Sequence, residues 1–358
     1  MCSANVSLII PAAGSSSRFP NMRPKWMLTH PNGSLMINEA ISGLKLSSVS
    51  KIYVTVLKDH IKAHTTLDKL VQSFHDMGIK KDIKPVVLDS ATQSQPETVY
   101  QTLKKEKISG AIFIKDTDNF FVHDIKEENA VTVCDLNDLG LINASNKSYV
   151  TFNENQIIDN IVEKKIISSF FCTGGYSFKD ADTFCRYFEA LENTSSLYIS
   201  HIIFNMLLDN HFFKAAEIKN LEDWGTAEDW NRFKKKYLTL FVDLDGVIVK
   251  NSGRYIGNEW GTTQGIEKNI KCLNTLYSTG KVKIIITTSR AAVCSDITKQ
   301  QLKENGLKYD QIIYDLPHAK RILINDFANS NSYKSCDAIN LPRNAETLDE
   351  ILKGISGT

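Results

Sequence analysis

Two aspartates spaced by one residue, Asp243-Leu244-Asp245-Gly246, follow an apolar run at 238–242. At the end of a buried strand, Asp243 can attack phosphorus and form an aspartyl phosphate. Asp245 can protonate the leaving alcohol and then activate water, and Gly246 lets the chain turn tightly. Three later pieces suit the same chemistry. A second apolar run ends in Thr287-Thr288-Ser289-Arg290, offering hydroxyls to phosphoryl oxygens. Lys320 offers a cation to hold nucleophile and phosphate together, with Arg321 as the neighbouring alternative. The run Ile322-Leu323-Ile324-Asn325-Asp326 ends in a metal-binding carboxylate.

A different constellation opens the chain. The apolar segment at 6–10 runs into Pro11-Ala12-Ala13-Gly14-Ser15-Ser16-Ser17-Arg18. Small residues let backbone N–H groups converge on phosphate, and arginine adds a fork of donors. Arg23-Pro24-Lys25 then supplies a fixed turn and a second cation.

The elements that must position these groups alternate. In the first half, strand patterns at 6–10, 51–57, 84–88 and 111–114 interleave with helical spacing at 35–44, 60–77 and 96–103. That rhythm predicts a mostly parallel sheet with ligands at the carboxyl ends of its strands. Hairpin-like strands follow near 131–133, 148–152 and 174–178. A charged stretch, Asn231-Arg232-Phe233-Lys234-Lys235-Lys236-Tyr237, precedes a fresh apolar strand, so the reading places domains at 1–236 and 237–358. The second half repeats the rhythm, with strands at 238–242, 282–287 and 321–324 and helices at 266–278 and 295–305. A length of 358 residues suits two domains, and 42% hydrophobic with 23% charged residues allows each an ordinary core. Net charge is +1 with no basic block, which argues against nucleic acid or a membrane surface as partner. The N-terminus carries neither signal-peptide nor spanning features. The seven cysteines show no C-x-x-C spacing and read as free thiols of a reducing cytoplasm. His60 and His64 could share a helix face, but no partner motif makes them a metal site.

In its first part the chain resembles the sugar-phosphate nucleotidylyltransferases. The opening glycine turn and Pro24-Lys25 are joined, in the family's order, by five further elements. These are Thr92-Gln93-Ser94-Gln95 as base-reading loop, Lys115-Asp116-Thr117-Asp118-Asn119 as metal-aspartate strand end, Glu163-Lys164, Thr173-Gly174-Gly175 beside the sugar, and Asp223 followed by Gly225-Thr226-Ala227-Glu228-Asp229. The resemblance implies an acceptor phosphate attacking the α-phosphorus of an NTP, with pyrophosphate leaving. Asp118 and Asp223 would hold Mg²⁺. Ala12, Ala13, Gly14, Ser15, Ser16, Ser17, Gln95 and Asp116 would bind nucleotide. Arg18 and Lys25 would neutralise phosphate charge, and Glu163, Lys164 and Gly175 would bind the acceptor. Ser16 departs from the family's second glycine.

From about residue 238 onward the chain resembles the haloacid dehalogenase superfamily phosphatases. The resemblance implies Asp243, Asp245, Thr288 and Lys320 as catalytic residues, with Asp243, Asp245 and Asp326 on a second Mg²⁺. Asn325-Asp326 stands where the family has two carboxylates. The short segment at 248–281 leaves no room for a large cap. The expected fold class is α/β: a Rossmann-like three-layer nucleotidyltransferase domain followed by a capless Rossmannoid phosphatase domain. The expected function is a bifunctional cytoplasmic enzyme of capsule or cell-surface polysaccharide biosynthesis. Its partners would be an NTP (CTP favoured, GTP with a heptose-type phosphate second) and a phosphorylated small molecule. The alternative is one active domain with a regulatory partner module.

Overall fold

The computed structural model describes residues 5–14, 19, 22–138, 144–255, 257, 259–326 and 335–356. The chain forms two compact units, Met1–Trp230 and Asn231–Thr358. The division falls inside the helix Ala227–Lys234, ahead of the apolar strand that the charged stretch introduces.

The first unit is built on a nine-stranded mixed sheet. Its path runs Lys214–Glu217, Ala130–Asp135, Phe170–Phe178, Ile112–Lys115, Val6–Ala12, Val49–Leu57, Asp82–Leu88. The last four of these pair in parallel, as the alternating pattern requires. Phe170–Phe178 runs antiparallel to both its neighbours, so the sheet changes character beside Ile112–Lys115. Successive residues of Val6–Ala12 feed opposite cores. Leu8 and Ile10 join the Trp26, Ile37 and Phe113 cluster, and Ile9 joins the Val99, Ile112 and Phe184 cluster. A strand buried on both faces reads as an unbroken apolar run. A hairpin of Ser148–Phe152 and Ile158–Glu163 attaches to Phe170–Phe178. A small sheet of Lys219–Asp223, Asn119–Asp124 and Leu44–Lys45 stands apart from the main one.

The helix expected over 60–77 is two helices, Lys58–His64 and Leu67–Asp76. Thr65 is extended, and the Thr66 hydroxyl accepts the N–H of Lys69 at 3.3 Å. An N-cap of this kind starts a new helix, which apolar spacing alone does not reveal. Ser94 does the same for Gln95–Glu106, with Pro96 in the first turn.

The second unit holds a parallel sheet in the order Leu238–Asp243, Val282–Thr287, Gln311–Ile313. The helices Glu267–Ser278, Ser295–Glu304 and Leu348–Ser356 accompany it. The segment before Glu267 carries only isolated bridges among its described residues. The strand expected over 321–324 is absent. Ile322, Leu323 and Ile324 are 74%, 54% and 89% exposed and enter no ladder. Asp315 turns the chain in a left-handed conformation, Pro317 donates no N–H, and Arg321 is drawn onto the Asp243 carboxylate. Those anchors precede the run, which leaves the Arg321 contact exposed and unpaired with the sheet.

Candidate active sites

The pocket of the first unit, about 620 Å³, lies at the carboxyl ends of Val6–Ala12 and Ile112–Lys115, where connections leave the sheet in opposite directions. Pro11, Ala12 and Gly14 line it. Ala13 does not: its side chain is packed with Leu57 and Leu88. Ser15, Ser16, Ser17 and Arg18 lie outside the described residues. Thr92, Gln93, Ser94 and Gln95 form one wall.

Asp116 and Asp118 leave the end of Ile112–Lys115 by different routes. Asp116 is held by the Gln95 side-chain amide, and its backbone N–H donates to Gly174 O at 2.8 Å. Burial, and the Asp118 carboxylate next, push its carboxyl up to about 6. Gly174 permits the approach. It has φ +84°, and a Cβ there would stand 2.4 Å from Asp116 Oδ2. Gly174 therefore faces the pocket, whereas Gly175 exchanges hydrogen bonds with the Thr132 hydroxyl and packs beneath the floor. Gly175, expected on the acceptor side, does not line the pocket, and Gly174 does.

Beneath this turn lies Lys115, fully buried. Its ammonium donates to Asp116 O and Asn119 O, both at 2.9 Å, and to Asn119 Oδ1 at 2.5 Å. Burial lowers its value to about 8, opposed by Asp116, Asp118 and Asp223. Three acceptors take three protons, so the charged form is held at neutral pH.

Asp223 arrives from the small sheet, where it pairs with Asn119. The N–H of Trp224 donates to Asp118 O at 2.8 Å, bringing the two expected metal carboxylates side by side. Each has a lysine. Lys25 Nζ lies 2.5 Å from Asp118 Oδ2, and Lys147 donates to Asp223 Oδ2. Burial draws the Lys147 ammonium down, but Asp223 outweighs it and holds the group above its ordinary value. Two adjacent carboxylates at a pocket wall match the oxygen donors that Mg²⁺ prefers.

The wall expected to meet the acceptor comes from the hairpin. Glu163 accepts from the Ser148 hydroxyl and from the Ser200 hydroxyl at 2.7 Å. Lys164, left-handed at φ 53°, donates to Tyr198 OH and lies 4.4 Å above that ring. Sequence patterns missed Lys147, Tyr198 and Ser200. Trp26 also lines the pocket, and its buried Nε1 has no acceptor among the described residues.

The second unit has a pocket of about 630 Å³ at the ends of its strands. Asp243, Asp245, Ser252, Ser289, Arg290, Lys320, Arg321 and Arg343 are among its lining residues. Arg290 is fully buried and uses all its donors. Nε and Nη2 grip Asp245 at 2.9 and 2.8 Å, Nη1 reaches Thr298 Oγ1 and Gln301 Oε1, and Nη2 also meets Ser252. Ser252 donates to Asp245 Oδ1 at 2.6 Å.

Four expectations shift here. Arg321, not Lys320, reaches Asp243, with Nη1 at 2.9 Å from Oδ1. Thr288 is buried and its hydroxyl accepts the Arg290 N–H, so Ser289 lines the pocket instead. Asp326 is not among the lining residues, because the strand that would deliver it does not form. Asp245 is committed to a guanidinium rather than to a carboxylate cluster. Among the described residues no group of three or more His, Cys, Asp or Glu could hold a metal ion. No helix among them is long and apolar enough to cross a membrane.

No protein-family model matches the chain, and no curated protein matches it either. Solved structures do. The chain is similar to the crystal structure of a nucleoside-diphosphate-sugar pyrophosphorylase from Vibrio cholerae RC9, with 19% identity over 63% of this chain and 98% of that one, and a TM-score of 0.54. An inositol-1-phosphate CTP transferase from T. maritima matches with 16% identity over 63% of this chain and 91% of that one, at a TM-score of 0.48. The first of these likenesses shows that the N-terminal part has the α/β fold of that pyrophosphorylase.

Proposed function

We propose that the first unit transfers a nucleotidyl group from an NTP to a phosphorylated small molecule, releasing pyrophosphate. The observation that carries this reading is the meeting of Asp118, in the turn after Ile112–Lys115, and Asp223, at the end of a small-sheet strand, in a pocket that also holds Lys25, Gln95, Glu163 and Lys164. The fold shared with the Vibrio cholerae pyrophosphorylase supports it. An oxygen of the acceptor phosphate bonds to the α-phosphorus while the bond to the bridging oxygen of pyrophosphate breaks. Such in-line displacement asks the protein for position and charge neutralisation. Lys25 lies where it can meet the phosphates. Glu163, fixed by two serines, accepts hydroxyls of the acceptor, and Lys164 receives its phosphate. Asp118 and Asp223 would hold Mg²⁺, which supplies further charge neutralisation when bound.

The second unit, in this reading, hydrolyses a phosphate ester of the same route, with Asp243 as nucleophile and Arg321 as the adjacent cation. Asp245 stands beside them, gripped by Arg290 and Ser252. CTP is the favoured nucleotide, and a cell-surface sugar or similar phosphomonoester the favoured acceptor.

The full chain with Mg²⁺, each NTP and a panel of sugar phosphates should release pyrophosphate, fastest with CTP. Silence across the panel sinks the first activity, and a preference for GTP replaces the nucleotide. Asp243→Asn should abolish phosphate release from esters and spare pyrophosphate release. Loss of both argues against separate sites.

A further inference from the structure

Lys147 belongs to no pattern that the sequence offered. It sits just before Ser148–Phe152, and its carbonyl accepts the N–H of Lys164 at 3.1 Å, which ties it to the acceptor side of the first pocket. Its side chain is 22% exposed and lines that pocket. The ammonium rests on Asp223 and lies 5.8 Å from the centre of the Phe171 ring. Lys25 stands on Asp118 in the same way. Both carboxylates suited to a divalent cation thus already carry a lysine.

An ammonium and a metal ion compete for the same carboxylate lone pairs. When a divalent cation takes Asp223, the Lys147 charge must find another anion. Its backbone is held by the hairpin, but its four-carbon stem lets three donors swing over several ångströms. In the proposed reaction the phosphates would enter the same pocket, which Asp118, Asp223, Lys147 and Lys164 all line. We propose that Lys147 is a second phosphate-binding catalytic cation, stored on Asp223 and handed to the reacting phosphates when metal binds. No bond to lysine forms or breaks. The exchange keeps Asp118 and Asp223 paired while the pocket is empty and adds a positive charge to the transferring group only when metal is present. The proposal rests on the nucleotidyl-transfer reading.

The test is Mn²⁺ binding to the full chain without nucleotide, followed by electron paramagnetic resonance, alongside pyrophosphate release. Lys147→Met should bind Mn²⁺ about fivefold more tightly, the scale of one partly exposed ion pair removed from competition. Its kcat for pyrophosphate release should fall at least tenfold, on the order expected for a lost transition-state contact. Lys147→Arg keeps the charge and should restore Mn²⁺ affinity to that of the wild type with part of the turnover. Unchanged or weaker Mn²⁺ binding by Lys147→Met overturns the stored pairing. Tighter binding with unchanged kcat overturns the catalytic role. If the unmodified chain releases no pyrophosphate from any acceptor, the functional reading falls, and the Mn²⁺ comparison alone decides the pairing.

Discussion

Asp116→Asn in metal-free protein should stabilise the first unit at neutral pH. The Asp116 carboxyl is buried beside Asp118, and its value rises from 3.8 to about 6. At ~1.36 kcal/mol for each pH step of that rise, the ionised form costs the folded state on the order of 3 kcal/mol. The sign follows from linkage. With the folded value above the unfolded one, the contribution is full below about pH 4 and is lost as pH rises through about 6. Asparagine carries no such penalty, and its amide oxygen can still accept the Gln95 bond. The variant should therefore match the wild type near pH 4 and exceed it by ~3 kcal/mol above pH 7, or roughly 6–12 °C in a unit of this size. Urea unfolding in EDTA, followed by fluorescence of the buried Trp26, Trp224 and Trp230, measures the difference at each pH. A difference independent of pH, or a less stable variant at pH 7, refutes the argument. The expected cost is functional, since a carboxylate that Gln95, Lys115 and Lys25 only partly offset in the empty pocket is one poised for a ligand.

Two further changes follow from the geometry. Gly174→Ala places a methyl group 2.4 Å from Asp116 Oδ2 at a left-handed φ, so it should cost ~2 kcal/mol or more in urea unfolding and lower kcat for pyrophosphate release. Arg290→Met leaves Asp245 without its buried partner and should cost about 3–5 kcal/mol of second-unit stability, partly recovered in Arg290→Met with Asp245→Asn. A double-mutant cycle by denaturant titration reads both.

Much of this was written in local patterns. An apolar run gives Val6–Ala12, buried on both faces, and strand patterns give Val49–Leu57 and Val282–Thr287, where exposed Ser50 and Lys283 interrupt the burial. Asp118, Asp223, Glu163 and Lys164 were legible as short motifs, and the pocket brings them together. Lys147 and Tyr198 were not, because a lone lysine or tyrosine before an element means nothing until the hairpin brings it to the pocket. Ala13 and Gly175 were one residue off, since alternation along a strand sends neighbours to opposite faces. The run at 322–324 misled for a related reason. Apolar character grants strand propensity, but a ladder needs a free edge and a chain path that reaches it. An arginine bound to Asp243 takes that path elsewhere. Arg290 was readable only as the tail of T-S-R, and nothing local announced that it would bury itself on Asp245.

The wedge of rings behind Asp223 decides where this chain can be cut. Trp224 meets Trp230 edge to face, with centroids 5.9 Å apart, and His30 lies 5.7 Å from Trp224 and 6.2 Å from Trp230. Trp230 is the last residue of the first unit, yet it sits in the middle of the helix Ala227–Lys234. A fragment ending at the division would keep every pocket residue and still fray the half-helix that carries Trp230 against Trp224 and His30. A fragment made to test the first unit by itself should therefore end beyond Lys234.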